Sequence, residues 1–185
     1  VGLIYIKSSV PEIDTVPQMA ASIAGISSHG IGSALIFMLI GVVITFVLQS
    51  SSVTVVLTMV LVYFGWISFP MAAAMVLGEN IGTTIGANLV ASRAGVQASR
   101  AALAHFIFNV LGAAFVLIFF NIFIKINLWL VSLFGLDAQM TSVFGVACVH
   151  TLFNVTATVV LVWFRKPFAD FLARCIKEPA PKKGD

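Results

Sequence analysis

Gln49-Ser50-Ser51-Ser52, followed downstream by Leu77-Gly78-Glu79-Asn80-Ile81-Gly82-Thr83-Thr84, gathers hydroxyl, amide and carboxyl oxygens between long apolar runs. Lipid cannot satisfy such groups. Clustered polar side chains and broken backbone persist at bilayer depth only where protein buries them or water reaches them, and transporters use such breaks to hold ions and substrates. The chemistry these residues suggest is therefore reversible binding of a small solute at a transport site. The plainer alternative is that the serines let helices pack closely and that Asn80, Gly82 and Thr83 bend a helix.

The rest of the chain supplies the apolar surroundings. Of its 185 residues 60% are hydrophobic and 9% charged, and the mean hydropathy is +1.09. Soluble domains carry about 25% charged residues, so an integral membrane protein in contact with a lipid bilayer is expected. Apolar stretches recur along the whole length, which a cleaved signal peptide does not explain. Trp66, Trp129 and Trp163 fall near expected segment ends, where indoles favour the interface. Cys148 and Cys175 give no disulfide framework. The net charge of +3 comes from basic residues bordering apolar segments without interleaved aromatics, so nucleic-acid binding is not expected. The first residues, Val-Gly-Leu-Ile-Tyr-Ile, read as the end of an earlier hydrophobic segment, and the chain as part of a larger protein.

The expected elements are all helical. Residues 1–29 are read as the end of a preceding segment and an interfacial linker, with a short helix from Ala20 to Ser28 and His29 at the interface. Residues 30–164 form the transmembrane unit. Within it, 31–64 makes a re-entrant hairpin whose two arms meet at the Gln-Ser-Ser-Ser tip and which closes at Gly65-Trp66-Ile67-Ser68. Ser68-Phe69-Pro70 then marks a helix start. The helix over 69–92 is expected to be discontinuous, unwound by the three glycines and the polar side chains between Gly78 and Gly86. Two further spans cover 101–124 and 140–164, and 165–185 is a basic tail.

Two crossings after the broken helix return the chain to its starting side. Arg93, Arg100, Arg165, Lys166, Arg174, Lys177, Lys182 and Lys183 then share one face, opposite Lys125 and Asp137, and the positive-inside rule makes that face cytoplasmic. The hairpin accordingly opens outward, in a plasma membrane or, for a bacterium, the inner membrane. His105-Phe106-Ile107-Phe108-Asn109-Val110 recurs as His150-Thr151-Leu152-Phe153-Asn154-Val155. His and Asn at this spacing share a helix face, which favours hydrogen bonds between helices over direct substrate contact. No transition-metal site can be assembled from the spacing of possible ligands.

The Gln-Ser-Ser-Ser string, the Leu77–Thr84 string and the His105–Asn109 segment together resemble the type II sodium-dependent phosphate cotransporters and their bacterial relatives over about Ile31 to Phe164. The resemblance implies one half of an inverted-repeat transporter, here the second repeat, and sodium-coupled symport of inorganic phosphate by alternating access. It implies no enzyme activity and no organic cofactor; sodium is the coupling ion. The other inverted repeat, or a second copy of the chain, completes the site. Substrate contacts then fall to Gln49, Ser50, Ser51, Asn80 and Thr83, and sodium contacts to Ser50, Ser52, Glu79, Asn80, Thr83 and Thr84, with Ser52 and Thr84 able to face the opposite side. Neutral hydroxyl and amide groups serve both ions, donating to phosphate and presenting oxygens to a hard cation. A carrier of another small anion, or a regulatory membrane subunit without transport of its own, are the competing readings.

Three departures from the family pattern stand out. Only one Gln-Ser-Ser-Ser signature is present where family members carry one in each of two repeats. Gly86 takes a place where a further Thr often follows the pair. Glu79 stands where Ala or Ser is usual, and a carboxylate at a helix centre costs about 2.5 to 3.5 kcal/mol. It is expected to face a cation, to stay protonated or to reach an aqueous vestibule.

Overall fold

The structure, a computed structural model, describes residues 17–27 and 30–178. The expected preceding segment before residue 17, His29, and the tail residues Lys182 and Lys183 lie outside the described residues. Every regular element among the described residues is helical: α1 (Pro17–Ser27), α2 (Ile31–Leu48), α3 (Ser51–Tyr63), α4 (Phe69–Ala91), α5 (Val96–Ile118), α6 (Phe120–Ser132), α7 (Ala138–Leu161) and, after a 3-10 turn, α8 (Arg165–Cys175). Three stretches are long and apolar enough to cross a membrane: α2, α5, and α7 continuing to Cys175. The chain is an integral membrane protein.

Contrary to the sequence expectation, α4 is unbroken from Phe69 to Ala91. Gly78, Gly82 and Gly86 recur every fourth residue, so they line one face instead of opening the backbone. That face lies directly on α2. A methyl group at Gly82 would sit 2.5 Å from the Val42 carbonyl oxygen and 3.0 Å from Thr45 Cβ, one at Gly78 would overlap the Met38 carbonyl, and one at Gly86 the Gln49 carboxamide. From the other side, Gly41 of α2 lies against the Met75 carbonyl. The polar residues of the segment also support the helix. Asn80 Nδ2 donates to Val76 O (2.8 Å), Thr83 Oγ1 to Glu79 O (2.9 Å) and Thr84 Oγ1 to Ile81 O (2.7 Å).

The pairings Met38/Gly78, Val42/Gly82 and Gln49/Gly86 advance together along both helices, so α2 and α4 run parallel. The connecting α3 must therefore return against both, and Thr58 duly meets Glu79. Helix α4 is the central element. Its residues Ala72 to Leu77 are 0–1% exposed, enclosed by α2, α3, α5 and α7.

The apolar run expected to span 101–124 bends at Phe119, where α5 gives way to α6. Helix α7 then packs back along both. Gly112 of α5 fits against Phe153 and Ala157, and Gly145 of α7 against the Phe69 ring. Trp66, expected at an interface, is instead buried in the turn before α4, whereas Trp129 and Trp163 are exposed. At one end of the bundle Ser99 Oγ bonds Ala91 O (3.0 Å) and Arg100 Nε bonds Ile176 O (2.9 Å), bringing the α4–α5 loop and α8 together. At the other end Asp137 caps α7 by accepting from the Met140 N–H at 2.8 Å.

Because the Gly82 contact is with backbone that cannot move aside, Gly82→Ala in the full-length protein should lower stability by about 1–3 kcal/mol. Thermal unfolding in detergent measures this. Gly25→Ala, whose methyl meets nothing within 4 Å, should melt at or slightly above the wild-type temperature.

Candidate functional site

The hairpin tip is made by two residues with opposite backbone conformations. Gln49 closes α2 in the left-handed region (φ 52°, ψ 27°), the only non-glycine among the described residues with positive φ. Its N–H bonds Thr45 O at 2.8 Å, and its side-chain amide donates to Phe46 O. Ser50 is extended (φ −148°, ψ 102°) and opens α3 without capping it through its side chain. Left-handed geometry in a residue with a Cβ costs about 1–3 kcal/mol, the kind of local strain that clusters at functional positions.

Ser51 and Ser52 occupy the first turn of α3, where backbone N–H groups precede the first intrahelical acceptor. Neither hydroxyl has a hydrogen-bond partner among the described residues. Together with Val55 of α3 and Ala147 and His150 of α7, they line an open pocket of about 250 Å³. The positive end of a helix dipole, free N–H groups and two hydroxyls favour an anion. No Asp, Glu, Lys or Arg occurs in α2 or α3, so no fixed carboxylate opposes one at the tip.

Other polar residues of the segment are turned inward. Thr54 Oγ1 donates to Ser50 O at 2.9 Å, tying the first turn of α3 together. Asn80 lies one step from the pocket: its Oδ1 accepts from Asn154 Nδ2 at 3.5 Å, and the same Asn154 amide reaches His150 O at 2.8 Å. Thr83 is half-buried and Thr84 fully buried, both hydroxyls engaged by their own helix. Glu79 is fully buried and accepts from Thr58 Oγ1 at 2.6 Å.

The structure therefore brings Gln49, Ser50, Ser51 and Ser52 together at the tip and links Asn80 to it through α7. It keeps Glu79, Thr83 and Thr84 away from the pocket lining. Sequence reasoning missed His150 as a pocket wall, although its repeat with His105 was visible. The copies behave differently: Asn154 reaches across to α4, while the buried Asn109 donates to His105 O at 2.9 Å within α5.

The profile of a protein family described as Na+/Pi-cotransporter matches residues 19–143. Over 147 residues, 80% of this chain and 26% of the relative, the chain is 31% identical to YjbB of Escherichia coli K12, provisionally named an inorganic phosphate export protein. It is 45% identical to the uncharacterized protein YqeW of Bacillus subtilis over 82 residues, 44% of this chain and 27% of that relative. The chain thus spans about a quarter of the length of these curated relatives. No solved structure shows significant similarity to it.

The two environments on α3 can be told apart chemically. In the full-length protein, a cysteine at exposed Ser52 should react readily with a small polar thiol reagent, and one at buried Thr54 should resist it. Equal labelling rates would contradict the orientation of α3.

Proposed function

The chain belongs to the Na+/Pi-cotransporter family, and we propose that it supplies one half of the binding site of a sodium-coupled phosphate symporter working by alternating access. The observation that carries this reading is the pair of unpartnered serine hydroxyls at the N-terminus of α3, open to a pocket beside His150. An oxyanion held there would accept from Ser51, Ser52 and first-turn N–H groups without a permanent cation buried in the bilayer. Gln49 and Ser50 complete the turn, and Asn80 braces the opposite wall through Asn154. Thr83 supports α4 beneath them.

Bound sodium offsets the charge of the anion, and linkage makes each ion favour the other by the same factor. The relatives named for phosphate export carry the substrate outward by name; in a symporter the two gradients fix the direction, so both fluxes need measuring. The basic end of the bundle, with Arg93, Arg100, Arg165, Lys166, Arg174 and Lys177, faces the cytoplasm under the positive-inside rule. On that reading the hairpin is re-entrant from outside, and its tip, beside Gly86, stops about 8 Å short of the cytoplasmic end of α4. The membrane is the plasma membrane, or the inner membrane in a bacterium, and the remainder of the protein, or a second copy, completes the site.

In proteoliposomes holding the full-length protein, Gln49→Ala or Ser51→Ala should weaken sodium-dependent phosphate transport. Each hydrogen bond lost to a charged ligand is worth about 1.5–3 kcal/mol, or roughly 10- to 100-fold in affinity. Flux near wild type in both variants at equal protein abundance sinks the tip as a substrate site. Suppression of phosphate flux by excess carboxylate would favour another small anion, and absence of any sodium-dependent flux a regulatory subunit.

Sidedness is tested in a background without Cys148 and Cys175. Cysteines placed at Gly95 and Lys177 should be labelled from the cytoplasm only, and one at Asp137 from outside only. Labelling of positions 95 and 137 from one side would overturn the orientation.

A further inference from the structure

Glu79 lies outside the tip pocket, and its surroundings are those of a ligand site in their own right. The residue is 0% exposed, as are Thr45, Thr54 and Thr58 on the two helices that enclose it. One carboxylate oxygen accepts from Thr58 Oγ1 at 2.6 Å. The other, Oε2, is buried without a hydrogen-bond partner among the described residues, and so is Thr45 Oγ1. Two orphaned buried oxygens on helices packed against each other are each costly if left unpaired, and a shared partner would relieve both.

Their positions are compatible with one. Thr45 of α2 packs against Gly82, one turn beyond Glu79 on α4. Side chains tilt toward the N-terminus of their helix, and α2 runs parallel to α4, so Thr45 leans back toward the Glu79 turn. Thr58 approaches from α3. Apart from Glu79, no Asp, Glu, Lys, Arg or His occurs anywhere in α2, α3 or α4. The one ion pair among the described residues, Arg100–Glu178, is elsewhere.

We infer that Glu79, Thr58 and Thr45 form a binding site for a monovalent hard cation, sodium on the transport reading above, enclosed between α2, α3 and α4. A carboxylate and hydroxyls give the all-oxygen coordination such ions take, and the ion supplies the positive charge that the helices lack. A proton on Oε2, donated to Thr45 Oγ1, would pair the same two oxygens that a cation would, so the experiment must separate a response to sodium from a response to pH. The site is separate from the anion pocket yet shares a helix with it. Thr58 follows Ser51 by two turns on α3, about 10 Å along the axis. An ion there clamps α3 onto α2 and α4 and holds the serine turn in place, so the two ligands are coupled through one rigid element.

The test is thermal unfolding of the purified full-length protein without phosphate, in sodium chloride against choline chloride at equal ionic strength. A cation that binds only the folded state raises the melting temperature with its logarithmic concentration. The wild type should show a sodium-specific rise. Glu79→Gln should abolish it, and Thr58→Val should shift the half-effect concentration upward on the order of tenfold. If Glu79→Gln does not fold, Glu79→Asp, which keeps the charge but withdraws it by a methylene, should show a similarly weakened sodium response. An undiminished sodium response in Glu79→Gln, or in both Glu79→Asp and Thr58→Val, overturns the site. So does wild-type stabilisation that follows pH and ignores sodium. A normal sodium response in Glu79→Gln together with lost phosphate flux in Ser51→Ala would remove this site and leave the proposed function standing. The reverse pattern would remove the tip and leave the cation site.

Discussion

The close parallel contact between α2 and α4 sets the positions of everything else. Lipid offers two helices no hydrophobic reason to associate, so their affinity depends on how closely the backbones approach. Gly41, Gly78, Gly82 and Gly86 make that approach possible. Each glycine costs about 1 kcal/mol of helix propensity, which close packing along the seam must offset. The same seam brings the Gln49 carboxamide against Gly86 and so fixes where the chain reverses. It also sets the depth at which α3 passes α4, and therefore which threonine of α3 meets Glu79.

Within this frame the polar side chains divide into two groups. Asn80, Thr83, Thr84, Thr54 and Asn109 spend their donors on carbonyls of their own helices, the local arrangement that lets such residues sit inside apolar helices. Ser51 and Ser52 have no such partner, because they precede the first full turn of α3. Thr54, Thr83 and Thr84, further along their helices, reach carbonyls three or four residues back; a hydroxyl in the first turn finds the reversal of the chain. The tip is open to a ligand for this geometric reason, and the scaffold beneath it is closed for the same one.

Much of this was legible in the sequence. The membrane class followed from composition, the hairpin turn from Gln49-Ser50 between apolar runs, and the start of α4 from Ser68-Phe69-Pro70. The continuity of α4 was not, because a local reading cannot distinguish glycines that unwind a helix from glycines that seat it against a neighbour. The spacing of four held the answer, but its meaning depends on α2, which is distant in sequence. The bend at Phe119 has no glycine or proline to announce it. His150 looked like a structural residue because its repeat with His105 suggested equivalent roles, and only the packing of α7 on α3 separates them. Thr54 and Thr58, four apart on α3, were an unread sign that the polar character of the tip continues into the core.

The two inferred binding regions differ in how complete they are within this chain. Glu79, Thr45 and Thr58 are fully buried within this chain, so on the inferred reading a cation there would find its oxygens already enclosed. The serine pocket is open, and its neighbours Val47 and Val53 are 70% and 48% exposed although the centre of α4 is sealed. The curated relatives extend to about four times the length matched here. An enclosed cation region beside an open anion region gives the order that coupling needs. On the proposed reading a cation would stiffen the hairpin from within, and an anion would then meet donors already in place, which would lower the ordering cost of binding it. In the reverse order, the proposed anion would have to organise a tip whose neighbouring cation region was still empty.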